Sequence, residues 1–533
     1  MIFTTSLARL SKDNFEYPVL CFNESYWNDQ GYETGFVLTK YDTYQSIKNN
    51  KGVRIGYLKI GRTGMFHDSS SYAYQSNPER TELPNSLFAS LNEEFFSVGQ
   101  DASYYLNIRK FFLKEEQDQL LLALRDVAYS EKAYEIARPE KVFGTSLIRQ
   151  LSTHTIENEY RGIISGEEGI PSEYSLKLNI KREVNDEVME INVFPNSFPN
   201  TNLHAIIGRN GVGKSFFFKA LINGMAILSN KSSLETEDKE EEYLNDYFTS
   251  VEGTENIASV LAIDLSVFDS TLPRGSAIAV PTEGKIRYTF IGFPFTEVNP
   301  DEIPEELTTG DSVDENLNRE FRNLSREILK RDTQKNLLLS TIKVLESDPM
   351  FKNNEISKWF DEYNEELRMG LFGRLSSGHK ISLLMILEVI LNIEINSLLL
   401  IDEPELHLHP PLLSSLIKAI NTILVKKNAV CLMATHSPVV LQEITRKCAW
   451  ILNREQQSIK IQRPTIETFG ENINTLTREV FGLEVENSGY EKLIREVVDD
   501  SESFEAVLEK FDNQLSDSAK LLAAVLWETK EDE

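Results

Sequence analysis

The octapeptide GRNGVGKS, Gly208 to Ser215, fits the phosphate-loop pattern G-x-x-x-x-G-K-[ST]. Glycines let backbone approach a phosphate, and successive N–H groups at a helix N-terminus form an anion cradle. The expected cradle is Gly208, Asn210, Gly211, Val212, Gly213, Lys214, Ser215 and Phe216. Lys214 would reach the β- and γ-phosphates of a nucleotide, and the Ser215 hydroxyl would ligate Mg²⁺. A second element is SLLLIDEPELHLHPP, residues 397 to 411, an apolar run that ends in two carboxylates. Asp402 is placed to hold Mg²⁺, and Glu403 to orient and deprotonate an attacking water. A third apolar run, in AVCLMATHSP, ends in Thr435-His436-Ser437, where His436 would sense the γ-phosphate.

FGRLSSGHKISLLMIL, residues 372 to 387, sets two serines and a glycine at the mouth of an apolar helical pattern. Ser376, Ser377 and Gly378 are suited to an anion, because hydroxyls and a helix N-terminus converge there. His407 and His409, with Glu405, lack a clear third and fourth ligand, so HLHPP reads as the loop that joins the acid-bearing strand to its helix.

These residues need strands and helices to hold them. Leu203 to Ile207 reads as the strand before the phosphate loop, and a helix begins near Lys214. A continuous apolar run such as SLLLI is a buried parallel strand, and ligands of open α/β sheets bind at the C-terminal strand ends. The first hundred residues hold short β-like runs separated by Asn, Asp and Gly, and a helical pattern follows from Ala102 to about Arg138. Leu317, Phe321, Leu324 and Ile328, then Leu338, Ile342 and Leu345, fall at helical spacing and predict a short helical lid or dimer element. The run LETEDKEEEYLND, residues 234 to 246, reads as a solvated loop. The expected organisation is an accessory domain at 1–150, a first ATPase half at 151–303, a helical insertion at 304–370, a second half at 371–465 and a helical tail at 466–533.

Bulk properties narrow the classes. The net charge of −28 argues against non-specific coating of DNA. Three distant cysteines form neither a disulfide framework nor a zinc pattern, which fits a cytoplasmic protein. The apolar window Ser382 to Ile401 is broken by Glu388, Asn392, Glu394 and Asn396, so it reads as a helix and a strand rather than a membrane span. The segment VVDDSESFE reads as a helix boundary, and the seven histidines form no HNH arrangement, so no nuclease is expected in this chain.

The phosphate loop, LSSGH, the Asp402-Glu403 pair and His436 occur in the order of ABC-type ATPases, the class of transporter motors and the SMC and RecF families. The resemblance implies an α/β fold: an ABC-type P-loop ATPase head with an N-terminal α+β accessory domain and a helical insertion. It further implies a homodimer in which Ser376, Ser377 and Gly378 cap the γ-phosphate of ATP held by a second protomer. DEPELHLHP is typical of the OLD-like branch. NLHAIIGRNGVGKS, LSSGHK, ATHSPVVLQE, ETFGENINTLTREVFGLE and the N-terminal YWNDQGYETGF and FFSVGQDASYY resemble the PtuA subunits of Septu-type and retron-carried anti-phage systems. That resemblance implies ATP and Mg²⁺ as cofactors and an HNH-type, PtuB-like nuclease as partner. In retron-carried members it adds a reverse transcriptase with its DNA–RNA product. A RecF-like or SMC-like repair ATPase, and a non-hydrolysing scaffold that restrains a toxic partner, are the alternatives. The chain departs from transporters at the Q-loop, where AIDLSVFDS leaves Ser266, Phe268 and Asp269 as alternatives.

Overall fold

The computed structural model describes residues 1–10, 17–25, 28–29, 31–65, 78–84, 87–149, 151–167, 171–181, 187–227, 248–265, 286–292, 313–360, 365–455, 458–486 and 489–531. The acidic run 234–246, the first residues of the insertion and Ser266, Phe268 and Asp269 lie outside them. The chain forms two compact units, one of Met1–Ala205 with Ser215–Thr435, the other of Ile206–Lys214 with His436–Glu533.

In the first unit, β-branched and aromatic runs near the N-terminus build a six-stranded sheet. Its order is Leu87–Phe88, Ile2–Thr4, Val19–Ser25, Gly35–Tyr41, Val53–Arg62, Phe95–Gly99. Ile2–Thr4 runs parallel to Val19–Ser25 and the other pairings are antiparallel. Helices Ala102–Phe111, Lys114–Ala123 and Glu131–Ala137 share one apolar core with this sheet, from Phe3 to Ile163.

A second sheet of the same unit places four parallel strands side by side: Arg287–Gly292, Ser259–Asp264, Leu398–Asp402 and Val430–Thr435. The last three are buried along their whole length, which is why they read as unbroken apolar runs. Beside Val430–Thr435 the chain enters the strand Leu203–Ile207, and the Cys431 amide donates to Asn202 O at 2.8 Å. A three-stranded antiparallel sheet, Glu187–Val193, Tyr174–Ile180 and Phe248–Glu252, and a parallel pair, Tyr32–Glu33 with Glu79–Arg80, belong to the same unit.

The helix Ser377–Asn392 is buried at every residue from Gly378 onward. A helix apolar all round must be covered on all sides. Part of that cover is the insertion, Val313–Leu329 and Asp332–Leu345, together with Pro410–Lys427. Leu317, Phe321, Leu324 and Ile328 point inward, and Phe321 stacks on Phe372 at 4.0 Å. The amphipathic stripe expected of a lid or dimer element is thus covered within its own chain.

The second unit carries an antiparallel hairpin, Ala449–Glu455 with Ser458–Gln462, and the helices Ile473–Glu486, Gly489–Asp499, Phe504–Lys510 and Asp517–Glu531. Ile494, Val498, Val507, Ala519 and Ala523 form a small core among the last three. Asp500 follows a helix end and bonds Lys510 at 2.9 Å, so VVDDSESFE is a helix boundary. The fold class is α/β: a sheet with four parallel strands flanked by helices, with an N-terminal α+β region and the insertion helices beside it. No helix among the described residues is long and apolar enough to cross a membrane.

A polar contact between two acids crosses the helical layer. Glu388 of the buried helix faces Glu320 of the insertion, with the Asn392 amide donating to Glu388 Oε2 at 3.0 Å. Burial, reinforced by Glu320, pushes the Glu388 carboxyl far above the usual range, with Arg149 opposing. Burial pushes Glu320 up to about 7, against its bond to Glu388 and the charge of Arg319. The folded chain therefore keeps protons that the unfolded chain releases above the ordinary carboxylate range, and this contact loses stabilising power as pH rises through about 7. Glu388→Gln should keep its hydrogen bonds without ionising. Denaturant melts from pH 5 to 8.5 should show a smaller loss of stability with rising pH in the variant than in the wild type. Parallel curves would show that the pair does not titrate in this range.

Candidate functional site

In the second unit the phosphate loop leaves its strand at Gly208. A Cβ added there would lie 2.4 Å from Leu452 O of the hairpin, so no larger residue fits. Gly211 and Gly213 adopt φ of 74° and 103°, the left-handed region that glycine enters without strain. Between them Val212 is buried, while Asn210 and Gly211 are exposed. The Lys214 ammonium donates to Gly208 O at 3.0 Å and Arg209 O at 3.1 Å, so the buried lysine arches over its own loop. The helix Lys214–Ile227 opens here, with Ser215 and Phe216 in its first turn, both half-buried. His436 opens the other long segment of this unit and is half-buried. Ser437 is the cap residue of the short helix Pro438–Gln442 that follows it.

In the first unit the acids stand at the C-terminal tip of Leu398–Asp402. Asp402 is buried and pairs in register with Ala434 on one side and Asp264 on the other. Glu403 is half-buried and takes φ of 49°, costly for a residue with a side chain, while its amide donates to Ala434 O at 2.9 Å. Beyond it Thr435 Oγ1 donates to Glu405 Oε1 at 2.8 Å, tying the strand tip to the following loop. That loop runs to His409, whose Nδ1 accepts the Leu412 amide and caps Pro410–Lys427. HLHPP is therefore the connection between strand and helix that its sequence suggests.

The LSSGH run, Leu375 to His379, which the ABC resemblance would make the signature, lies in the first unit too. Ser376 and Ser377 are exposed at the N-terminus of the buried helix, whereas Gly378 is covered. A Cβ on Gly378 would stand 2.6 Å from His407 O, so the loop after the acids rests on the signature backbone. Ser376 Oγ bonds His379 Nδ1 at 2.6 Å, and His379 Nε2 bonds Asp348 Oδ1 at 3.1 Å. Asp348 in turn caps the short helix Pro349–Asn353 through the amides of Met350 and Phe351. The His379–Asp348 couple is not apparent from sequence, because its members lie on different elements 31 residues apart. Asp264 also escapes the sequence reading, although it ends an apolar run in the same manner as Asp402.

The donor set suits Mg²⁺. Ser215, Asp402 and Asp264 offer hard oxygen ligands, and the two carboxylates stand side by side at strand tips. A magnesium ion held there would supply charge neutralisation to a phosphate chain.

A family model described as "AAA domain, putative AbiEii toxin, Type IV TA system" matches residues 296–442, from the insertion through the acid strand to the segment after His436. Protein ea59 of Escherichia phage lambda is 33% identical over 515 residues, which span 92% of this chain and 91% of that protein. Among solved structures, cbiO1 from Clostridium perfringens, part of the ABC transporter complex cbiONQ, is 16% identical. It covers 61% of this chain and 95% of that chain with a TM-score of 0.26. MJ1267, an ATP-binding cassette of an ABC transporter in its ADP conformation, is 13% identical. It covers 58% of this chain and 94% of that chain, also with a TM-score of 0.26.

The contact between Gly378 and His407 O yields a direct test. Gly378→Ala should lower unfolding free energy by about 1–3 kcal/mol, the usual cost of overpacking. Gly373→Ala is the control, since nothing lies within 4 Å of an added Cβ there. Equal melts for the two variants would show that the loop yields without cost.

Proposed function

This chain belongs to the family of Protein ea59 of Escherichia phage lambda, and on that premise we propose that it is an ATP-hydrolysing switch whose heads dimerise around nucleotide. The observation that carries the reading is the acid strand. It is central among parallel strands, buried throughout, and delivers Asp402 and Glu403 at the strand end where α/β sheets bind ligands. Lys214 neutralises the β- and γ-phosphates, with Gly208, Asn210, Gly211, Val212 and Gly213 supplying the backbone cradle and Phe216 the start of the helix. Ser215 and Asp402 hold Mg²⁺, Glu403 is the general base and His436 senses the γ-phosphate. Asp264, level with Asp402, takes the water- or metal-facing role that the sequence leaves open among Ser266, Phe268 and Asp269. The exposed hydroxyls of Ser376 and Ser377, with Gly378 behind them, offer the anion site to a second protomer.

At the level of biology, we read this switch as the ATPase of an anti-phage complex, resembling PtuA of Septu-type and retron-carried systems, that controls a partner nuclease of the HNH type. The sequence segments quoted above support that reading. On this reading the chain itself cleaves no DNA, and the negative balance of residues 301 to 370, 17 acidic against 10 basic side chains, steers a basic partner.

Two experiments test the ATPase. Lys214→Ala should abolish ATP binding by calorimetry. Glu403→Gln should bind ATP normally but hydrolyse it about 10²–10⁴-fold more slowly, the range expected on losing a general base. Normal ATP binding by Lys214→Ala, or unchanged turnover in Glu403→Gln, would refute these assignments. For the composite site, Ser376→Arg and Lys214→Ala subunits should each be inactive. Mixed as verified heterodimers they should regain some turnover, because one intact site remains. No recovery would mean that the signature does not act across protomers.

A further inference from the structure

The HLHPP loop takes on a new meaning beside the signature helix. Asp348, His379 and His409 come from three separate elements, and their candidate ligand atoms all lie within 4.8 Å of one another. Asp348 and His379 are buried and His409 is exposed. We propose that these three residues form a binding site for one divalent transition-metal ion of the zinc class, at the base of the signature helix.

The chemistry fits on four counts. Zinc with nitrogen and carboxylate ligands sits about 2.0–2.2 Å from each, which sets neighbouring ligand atoms a little over 3 Å apart. The pair His379 Nε2 and Asp348 Oδ1, at 3.1 Å, already stands at that spacing. Two imidazoles and one carboxylate form a ligand set that selects zinc over magnesium or calcium, which prefer oxygen alone. The carboxylate is preoriented, since the Met350 and Phe351 amides donate to the same Asp348 oxygen at 2.8 and 3.2 Å. His379 is braced on its other side as metal-binding histidines are, with Nδ1 bonded to Ser376 Oγ at 2.6 Å and its ring against Phe351 at 4.9 Å.

His409 supplies the closing ligand. Its ring centroid lies 5.9 Å from that of His379, and its cap bond from Leu412 is long, at 3.3 Å. A modest turn of this exposed ring brings a nitrogen to the pair at the cost of at most one weak hydrogen bond. The exposed side then leaves the fourth coordination position to water. Bound through Nε2 of His379, the ion fixes the ring proton on Nδ1. Ser376 Oγ then accepts a hydrogen bond, and its own O–H proton points away from the ring. Any consequence for a phosphate at Ser376 rests on the ATPase reading above, but metal binding does not.

The test uses the tag-free full-length chain, stripped with a chelator and titrated with zinc chloride without nucleotide. The expected result is one zinc per chain by calorimetry and by elemental analysis after desalting. Cobalt(II) should bind with the intense visible bands of a tetrahedral site. His409→Ala removes an exposed side chain and its long cap bond; it should weaken zinc binding about 10–100-fold while the chain stays folded, with only the small drop in the melt expected on losing a helix cap. His379→Gln should do the same if it folds. Lys214→Ala should bind zinc as the wild type does, which separates this site from the nucleotide site. No zinc retained by folded wild type, or equal affinity in His409→Ala, would overturn the proposal.

Discussion

The constraint on which the rest depends is the burial of one helix. Ser377–Asn392 exposes only its first residue and hides all the others. Its isoleucines, leucines and Met385 each contribute roughly 1.5–3 kcal/mol on leaving water, but only if every face finds a neighbour. That requirement accounts for much of the first unit. It calls for the insertion helices Val313–Leu329 and Asp332–Leu345 and for Pro410–Lys427 beside them. The helices Val313–Leu329 and Asp332–Leu345 are thus part of the core of the first unit. It also explains why a charged position such as Glu388 is tolerated, since a raised pKa lets the carboxyl stay neutral where a carboxylate would not.

The far end of the same helix is tied to the N-terminal region by a polar cluster. Glu394, buried two residues past the helix end, accepts from the Ser152 amide at 3.0 Å and from the hydroxyls of Ser152 and Thr155. It also pairs with Arg287 at 3.0 Å. Arg287 reaches on to Arg149 O at 3.1 Å and Asn392 O at 2.9 Å. A buried ion pair adds little net stability, yet removing one partner is costly because the other is left charged and dry. The cluster therefore ties Ser152 and Thr155 to the end of the helix through one buried carboxylate, and its loss on one side would leave the other uncompensated.

Much of this was legible in the sequence, and for a plain reason. Elements whose character is local write themselves into consecutive residues. Leu398–Asp402 and Val430–Thr435 are near-continuous apolar runs because they are buried parallel strands, and the polar residues at their ends mark the tips; Leu203–Ile207 is buried in the same way, with His204 as its one polar residue. The helix start at Lys214 and the boundary at Asp499 are equally local. What depends on tertiary meeting was hidden. The stripe Leu317, Phe321, Leu324, Ile328 shows that a face is buried but not against what, so a lid or dimer element and an internal layer look alike. The pairing of His379 with Asp348, and the level placement of Asp264 beside Asp402, depend on sheet order and helix packing that no spacing encodes.

The same packing bears on how such a switch could transmit a signal. Glu403 occupies a left-handed conformation, and strain of this kind persists only where its surroundings overdetermine it. Here the Ala434 carbonyl holds its amide, and Thr435 holds Glu405 two residues on. Further along, His407 O lies against Gly378 of the signature. A ligand that pulls on Ser376 and Ser377 cannot shift the signature helix alone, because the helix has no spare face along which to slide. Displacement passes into the insertion, at Glu388, into Pro410–Lys427 beside the helix, or into the loop after the acids, at His407. Under the proposed function the last of these routes would run from the surface offered to another protomer to the residue that would activate water, through His407, Glu405 and Glu403. A close-packed interior moves between discrete arrangements rather than deforming smoothly, and this geometry leaves the acid loop few of them.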